Sequence, residues 1–500
     1  MRNAFAAARH ATRMAALPAA LALCAPLETK AQDAEDGGDQ VRFVGDWTGT
    51  LDLGAMQLRL RFVLSAEEEA LSGVLYSVDQ GNAEFPITTV DTSGDTISIS
   101  VSPIGAAYTG TMGADGATIS GTFSQGGLNR PLVLAPSEEG ETEPSRPQEP
   151  AEPYPYMTED VSFPNPEGGH ALGGTLTRPF EDAPFPAVVL ISGSGPQDRD
   201  EALAGHRPFL VLADHLAWNG IAVLRYDDRG VGASGGDFSQ ATTEDFATDA
   251  LAAVAYLKGR DDIDPGAIGL AGHSEGGLVA PMAALRSSDV AFLALMAAPG
   301  VDGARILIAQ GELIARAGGA TEEAIAANRA RQEEVFALLR EEPDPAVAGS
   351  AVEAVVRRAL AEASEEELQL AGVTDSASAE AIVAGQVKQV NNRWFRFFLT
   401  HDPAAVLERV TVPVLAMTGE KDLQVPHEEN LSAIAAALER GGNHAYEVHA
   451  LPGLNHLFQH AETGAPSEYS SIEETWSVDA MQLLSDWIQR TTSAATLQLP

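Results

Sequence analysis

The sequence predicts an α/β domain whose sheet is mostly parallel, with a helical cap inserted into it and a small antiparallel β-barrel-like domain before it. Three observations predict this arrangement. Apolar side chains recur with a period of two over residues 42–135, apolar runs alternate with helical stretches over residues 156–490, and residues 301–400 show helical spacing without a buried-strand run. Continuously apolar strands that alternate with helices are typical of a parallel sheet covered on both faces.

Length and charge limit the possible classes of protein. A chain of 500 residues is too long for one core of average size, so two or three domains are expected. The net charge of -40 argues against nucleic acid and anionic membrane surfaces as partners. Beyond the N-terminal region, the sequence has no apolar run near the ~20 residues that span a bilayer, so we expect no transmembrane segment. We also expect no cofactor and no metal, and the sequence does not predict an oligomeric state.

Residues 1–31 have the order of a secretory signal peptide. Basic residues precede an apolar run over residues 14–27, and small residues follow as far as Ala31. Cleavage there predicts a periplasmic or secreted protein. The single cysteine, Cys24, would be removed, so the mature chain would contain no disulfide. A lipoprotein anchor at Cys24 is disfavoured because Leu23 occupies a position where such signals have a small residue.

Residues 42–135 predict the antiparallel domain. Runs with a period of two, such as residues 57–64 and 96–101, recur every 10 to 12 residues between turns rich in Gly, Asp and Ser. We expect about eight short strands in a closed or nearly closed meander, like a small lipocalin-type barrel. Residues 136–155 are rich in proline and glutamate and predict an extended linker.

The predicted α/β domain covers residues 156–490. Its clearest strands are residues 187–191 and 221–226, and its clearest helix is residues 243–258. We expect the helical stretch over residues 301–400 to form a cap over the carboxyl edge of the sheet. The alternation then resumes with strands at 412–417 and 446–448, and an amphipathic helix over 472–489 closes the domain.

The run Gly272-His273-Ser274-Glu275-Gly276 supplies the candidate nucleophile, Ser274. An apolar strand precedes it and a helical stretch follows, and a serine on such a sharp turn projects its hydroxyl out of the sheet. A second match to the Gly-x-Ser-x-Gly pattern, at residues 232–236, has neither a strand before it nor a helix after it. We therefore predict that Ser234 is structural.

A serine nucleophile needs a base, and the base needs an acid that orients it. Asp422 follows the strand at 412–417 and is the predicted acid, with Asp302 as a fallback after the preceding strand. His456 follows the last strand and is the predicted base. His444, His449 and His460 are competitors for this role. His444 and His449 flank the last strand and are expected to lie at the surface or to serve packing, whereas His460 lies a helical turn past His456.

Two backbone N–H groups are expected to bind the developing oxyanion. One is the N–H of Glu275, the residue after the nucleophile. The other belongs to the glycine-rich loop after the first central strand, where Ser194 is favoured and Gly193 or Gly195 are neighbours in register. The Asp and Arg residues that continue this loop at 197–200 are expected to brace it, and the run at 227–230 is expected to be structural too.

Five motifs together resemble the α/β-hydrolase superfamily, and specifically bacterial exported esterases near the prolyl-oligopeptidase and feruloyl-esterase branches. The motifs are residues 193–196, 226–232, 272–277, 419–422 and 455–456. The chain departs from the pattern at Ser192, where many members have a histidine before the glycine.

This resemblance implies a serine hydrolase that cleaves small-molecule carboxylic esters through an acyl-enzyme. A serine aminopeptidase or oligopeptidase with the same triad is the alternative, in which Glu275 or Asp198 would bind a free amine. A non-catalytic surface-binding protein is the third reading, and an intact triad argues against it.

Overall fold

The computed structural model describes residues 41–496, apart from 53–56, 68–69, 79–82, 115, 126–127, 138–144, 181–182, 365–366, 369–370, 372 and 374. The predicted signal peptide and Cys24 lie outside the described residues. The chain divides into two compact units. The first contains the described residues before 144 together with 320–328 and 349–389, and the second contains 144–319, 329–348 and 390–500.

The N-terminal part of the first unit is an antiparallel sheet of nine strands in the order β4-β3-β2-β1-β9-β8-β7-β6-β5. Its strands are β1 (Gly45–Asp52), β2 (Gln57–Glu67), β3 (Ala70–Ser77), β4 (Ala83–Pro86), β5 (Thr89–Ser93), β6 (Thr96–Val101), β7 (Ala106–Met112), β8 (Ile119–Gln125) and β9 (Leu128–Pro136). We call this sheet the half-barrel.

Pairing of the first strand with the last curls the half-barrel, as in the predicted meander. Between β4 and β5 the chain passes from one edge to the other, since Ile87 N–H donates to Gly73 O on β3 and Thr88 N–H donates to Ser100 O on β6. The antiparallel, barrel-like prediction is confirmed, with nine strands in place of about eight. Alternate residues point inward, and large side chains such as Trp47, Phe62 and Tyr108 fill the interior.

The second unit contains an eight-stranded sheet in the order β10-β11-β13-β12-β14-β15-β16-β17. The strands are β10 (Met157–Asn165), β11 (His170–Arg178), β12 (Phe185–Ile191), β13 (Ala222–Tyr226), β14 (Ile263–His273), β15 (Phe292–Met296), β16 (Val414–Gly419) and β17 (Tyr446–Leu451). β10 and β11 are antiparallel to their neighbours, whereas the strands from β13 to β17 are parallel. The predicted mostly parallel sheet is confirmed.

The helices are α1 (Pro208–Trp218), α2 (Thr243–Lys258), α3 (Gly276–Ala284), α4 (Gly303–Ala317), α5 (Glu322–Glu341), α6 (Pro345–Glu362), α7 (Ser376–Val390), α8 (Arg393–Thr400), α9 (Pro403–Leu407), α10 (His427–Gly441) and α11 (Val478–Thr496). Every residue of β13, β15 and β16 is buried, because apolar helix faces cover both sides of the sheet. Between β15 and β16, the described helices α4 to α8 fall within the helical insertion predicted over residues 301–400, and α9 follows them.

Two elements differ from their sequence predictions. Arg146 and Gln148 belong to the predicted linker, yet both are anchored within the second unit. Arg146 donates to the carbonyls of Gly205 and Ser470, and Gln148 donates to Trp476 O. The closing helix begins at Val478 and not at 472, because a 3₁₀ turn and the buried Trp476 precede it. The polar side chains of a proline-rich stretch carry no apolar signal, so a sequence pattern cannot reveal these anchors.

Candidate active site

Ser274 lies on the turn between β14 and α3, in a left-handed backbone conformation with φ of 52°. Only very small neighbours permit this turn. A Cβ on Gly272 would collide with the Gly276 carbonyl, and a Cβ on Gly276 would collide with the Ile191 carbonyl. The turn is fixed to the next strand by Ser274 N–H, which donates to Met296 O at 2.8 Å. Ser274 is half-buried and lies at the carboxyl edge of the sheet.

Asp422 and His456 meet at the same edge. His456 Nδ1 lies 2.8 Å from Asp422 Oδ2, and the two residues are 4% and 2% exposed. The other carboxylate oxygen, Oδ1, accepts the N–H groups of Gln424 and Val425 at 2.8 Å each. Since the carboxylate is fixed from both sides, it holds the imidazole in one orientation with Nε2 free to accept a proton.

The loop that carries His456 is shaped by Asn455. Its side-chain oxygen accepts the N–H groups of Leu457 and Gln459, both at 3.0 Å. Phe458, with φ of 61°, then stacks on Trp476 at a centroid distance of 4.6 Å. A buried polar turn and an aromatic stack therefore fix the position of the predicted base.

The structure brings His456 beside the nucleophile turn through His273. His273 Nε2 lies 3.0 Å from His456 O, and the two imidazole rings are 4.9 Å apart. The hydrogen bonds among the described residues do not include one between Ser274 Oγ and His456. Asp422 and His456 are thus hydrogen-bonded to each other, and His273, which contacts the backbone of His456, immediately precedes Ser274 in the chain.

The loop after β12 approaches Ser274 closely, because a Cβ on Gly193 would lie 3.2 Å from Ser274 Cβ. Gly193 N–H is already bonded to Glu201 Oε1 at 2.7 Å, which removes it from the candidate oxyanion donors. Within the described part of the chain, the backbone N–H groups of Ser194, Gly195 and Glu275 have no hydrogen-bond acceptor. The two donors predicted from the sequence are among these three.

Asp228 braces this loop from below. Its carboxylate accepts Ser192 Oγ–H at 3.0 Å and Gln197 N–H at 2.9 Å. Burial raises the pKa of Asp228 to about 8 against the effect of these hydrogen bonds. Arg199 pairs with Asp227 at 2.7 Å, so the charged residues of both predicted structural runs do hold the loop in shape.

The Glu275 side chain is buried behind the turn and accepts only neutral donors. Its Oε1 lies 2.6 Å from Thr243 Oγ1 and 2.7 Å from Trp394 Nε1, the latter on cap helix α8. Burial raises the pKa of Glu275, while hydrogen bonds from Thr243, Trp394 and Ser194 oppose that shift. Three residues near the site were not predicted from the sequence: Thr243, Trp394 and Glu201. Of these, only Glu201 lies where the sequence indicates a role, in the loop after β12.

The alternative catalytic residues have other partners. Asp302 caps α4 by accepting Arg305 N–H, and it also pairs with Arg340 at 2.6 Å. His444, His449 and His460 pair with carboxylates of their own surroundings: Glu439, Glu447 and Glu474. None of these groups contacts Asp422 or Ser274 through a hydrogen bond of the described residues.

Ser234, from the second Gly-x-Ser-x-Gly match, is buried in a loop. Its Oγ donates to Asp227 O at 2.6 Å and accepts Gly173 N–H at 2.9 Å. Both bonds connect loop and strand backbone, so this serine has the structural role expected from its context.

In the described ranges, no cluster of three His, Cys, Asp or Glu side chains has the arrangement of a metal site. The same residues contain no helix that is long and apolar enough to cross a bilayer.

Comparison with known proteins adds a family and a named relative. The model of the family described as X-Pro dipeptidyl-peptidase (S15 family) matches residues 168–453. Esterase EstD of Thermotoga maritima is 26% identical over 303 residues, which are 60% of this chain. The match spans 61% of the length of that relative.

Solved structures with a similar fold include an esterase of Pyrococcus furiosus, with a TM-score of 0.39 and 14% identity over 71% of this chain and 99% of that one. Another is the α/β hydrolase GrgF of a Penicillium species, with a TM-score of 0.42 and 19% identity over 67% of this chain and 99% of that one.

Proposed function

This chain belongs to the X-Pro dipeptidyl-peptidase (S15) family. We propose that it is a serine hydrolase that cleaves carboxylic esters, with Ser274 as nucleophile, His456 as base and Asp422 as orienting acid. The hydrogen bond of 2.8 Å between His456 Nδ1 and Asp422 Oδ2, at the sheet edge that also carries Ser274, is the observation that carries the proposal. A rotation of the Ser274 side chain toward His456 would complete the triad.

In the acylation step, Ser274 Oγ attacks the ester carbonyl carbon while its proton moves to His456 Nε2. The carbonyl oxygen becomes an oxyanion and accepts the N–H groups of Glu275 and Ser194. The tetrahedral intermediate then expels the alcohol, which takes the proton from His456. The products of this step are the free alcohol and an acyl ester on Ser274.

In the deacylation step, a water molecule attacks the acyl carbonyl and gives a proton to His456. Collapse of the second tetrahedral intermediate breaks the bond to Ser274 Oγ, which recovers the proton from His456. The carboxylic acid leaves, and the protein returns to its starting state. Atoms and protons balance with water as the only co-substrate.

The carboxylates near Ser274 favour esters over peptides with a free amino terminus. A peptidase of that kind needs a carboxylate that can face an ammonium group, and Glu275 and Asp198 are the candidates. Glu275 is 3% exposed and already accepts three neutral donors. Asp198 caps its own turn by accepting the N–H groups of Asp200 and Ala202. The name of the relative from Thermotoga maritima, an esterase, agrees with this preference.

Release of X-Pro dipeptides from the amino terminus of peptides is the second candidate function, and the description of the family is what favours it. The two candidates share the nucleophile and differ in the leaving group, an alcohol or an amine. A substrate panel therefore separates them.

The test compares p-nitrophenyl acetate and butyrate with Ala-Pro-p-nitroanilide, using wild type, Ser274→Ala and Ser234→Ala. We expect ester turnover by wild type and Ser234→Ala and none above background by Ser274→Ala. The second serine is a matched control because it lies in the same sequence pattern. Ester turnover that persists in Ser274→Ala would exclude the nucleophile, and kcat/KM higher for the anilide than for the esters would select the peptidase.

We also propose that the protein acts outside the cytoplasm, because residues 1–31 have the composition of a signal peptide. Expression of the full chain in a bacterium followed by cell fractionation tests this. Recovery of a chain that begins after Ala31 from the periplasm or medium is expected, and an uncleaved cytoplasmic chain would contradict it.

A further inference from the structure

We propose that His273 is a buried imidazolium paired with Glu201, and that this ion pair is a positioning element that holds the base and the oxyanion loop on either side of Ser274. The two residues lie outside the triad. His273 contacts the backbone oxygen of His456, and Glu201 contacts the backbone N–H of Gly193 in the oxyanion loop. The part of this inference that concerns catalysis rests on the proposed function, whereas the charge state of His273 does not.

The first step is the hydrogen bonding of His273. Its Nδ1 lies 2.9 Å from Glu201 Oε1, and its Nε2 lies 3.0 Å from the backbone oxygen of His456. A backbone carbonyl has no proton to donate, so Nε2 carries one. A carboxylate is also only an acceptor, so Nδ1 carries a second one, and an imidazole with two ring protons is positively charged.

The second step is the protonation of Glu201. If Glu201 held the proton, it would donate to Nδ1 and both side chains would be neutral. However, Glu201 Oε1 also accepts Gly193 N–H at 2.7 Å, and a charged carboxylate accepts a backbone N–H more strongly than a neutral acid does. In water, a histidine also binds a proton more tightly than a glutamate by about two pKa units. We therefore assign the proton to His273.

Electrostatics around His273 agree with this assignment. Burial lowers the pKa of His273, but the negative charge and hydrogen bond of Glu201, the carbonyl of His456 and the charge of Asp422 outweigh it, so the pKa is raised. His273 and Glu201 are 4% and 3% exposed, so little solvent screens the pair. The imidazole of His456 is the other titratable group that faces the His273 ring, at 4.9 Å.

The third step is what the pair holds. Glu201 fixes Gly193, whose Cα lies against Ser274, and thereby fixes the loop that carries Ser194. His273 fixes the carbonyl of His456, and thus the backbone beneath the base. Glu201 itself has φ of 52°, a conformation that a glutamate adopts only when its surroundings impose it. Removal of the pair would release both sides of the site at once.

The charge state is tested by NMR on the full-length protein labelled with ¹⁵N-histidine, at pH 8 and without substrate. The His273 resonances are assigned by their loss in His273→Gln. We expect two protonated ring nitrogens for His273 at a pH where most histidines have one. One protonated and one bare nitrogen would overturn the ion pair, and this result would not depend on any enzymatic activity.

The positioning role is tested with Glu201→Gln, which keeps an oxygen for Gly193 N–H but removes the charge. We expect His273 to become neutral at pH 8 and kcat for the ester to fall about 10- to 100-fold with KM changed less than threefold, as for a misplaced base or oxyanion donor. A kcat within twofold of wild type would overturn the role.

Glu447→Gln is the matched control, because Glu447 pairs with His449 at 3.2 Å on β17 and contacts no residue of the triad through a hydrogen bond. We expect the control to keep kcat within twofold. If wild type turns over no ester, the proposed function fails, and the NMR result still decides the charge state of His273.

Discussion

The half-barrel and the second unit differ in where the backbone is strained. Among the described residues, five that are not glycine have a positive φ, and all five belong to the second unit: Glu201, Ala204, Ser274, Ala297 and Phe458. Each follows the carboxyl end of a parallel strand. In the half-barrel, only glycines adopt such angles. Each left-handed residue costs roughly 1–3 kcal/mol, so the second unit places unfavourable conformations at the edge where its candidate site lies.

Buried charge follows the same division. The half-barrel core is apolar, and Ser77 is the one buried polar side chain described in its strands. The second unit buries the carboxyl groups of Glu201, Asp228, Glu275 and Asp422 in the loops around the nucleophile turn. Burying charge opposes stability unless partners are supplied. The half-barrel therefore combines an apolar core with an unstrained backbone, whereas the second unit gives up stability for a prearranged polar site.

The largest expected effect is on Ser274. Ser274→Ala should lower kcat for the ester by at least about 10⁴-fold, because the attacking hydroxyl is lost. Its free energy of unfolding, measured by urea denaturation, should stay within about 0.5 kcal/mol of wild type. Ser274→Gly should be as inactive but more stable than Ser274→Ala, since glycine adopts φ of 52° without strain. If the two variants were equally stable, the left-handed backbone at residue 274 would not be strained.

Truncation of a core side chain in the half-barrel should lower stability and leave activity unchanged. Phe62 is fully buried and its ring lies 5.6 Å from that of Tyr108. Phe62→Ala should destabilise the half-barrel by about 3–5 kcal/mol because it leaves a cavity. The melting temperature of the half-barrel, measured by calorimetry, should fall, whereas kcat at 25 °C should stay unchanged. A large fall in kcat under native conditions would contradict the separation of the two roles.

Loss of unfolding free energy through protonation of histidine should occur in the second unit, because residues 41–137 contain no histidine. His206 is buried between Thr475 Oγ1 and Tyr469 O, both at 2.9 Å, and burial lowers its pKa to about 4. The His206 imidazole therefore binds a proton near pH 6.5 in the unfolded state, but only near pH 4 in the folded state. Relative to His206→Gln, wild type should lose about 3 kcal/mol of unfolding free energy between pH 7 and pH 4. A difference that is independent of pH would refute the neutral, buried state of His206.

The smallest effect on activity is expected for Ser234→Ala. The substitution leaves Gly173 N–H without its acceptor and Asp227 O without a donor, which should cost about 1–3 kcal/mol of unfolding free energy. Because Ser234 does not touch the nucleophile turn, kcat should stay within twofold of wild type. Denaturation and ester turnover measured on one preparation check both values, and a tenfold fall in kcat would mean that this loop reaches the site.

Much of the fold could be predicted because its signals are local. Alternation with a period of two marked strands such as β6, and continuous apolar runs marked β12 and β13. An apolar face at helical spacing marked α2, whose bounds match the prediction at Thr243 and Lys258. The helical insertion was visible because residues 301–400 lack a strand pattern. The start of α11 was missed because residues 472–477 are fixed by tertiary contacts and not by helix propensity.

The candidate site was predictable only in part. Ser274 and the pair Asp422 and His456 were found by their order after successive strands, since parallel topology brings such positions to one edge. Glu201 and Trp394 were missed because their contacts join residues 72 and 119 positions apart, and neither stands in a spacing that a chain pattern records. The exclusion of Gly193 as an oxyanion donor likewise depends on one bond to Glu201 and required the structure.

The bond between Trp394 and Glu275 has a consequence for how this protein can be altered. The carboxylate of Glu275, the residue after the nucleophile, accepts a hydrogen bond from the indole of Trp394 on the inserted helices. The cap and the nucleophile turn therefore depend on each other. A cap taken from a relative without a donor at this position would place apolar groups against the buried Glu275 carboxylate. Exchange of the cap, in the laboratory or in evolution, therefore requires a paired change at Glu275, such as Glu275→Leu.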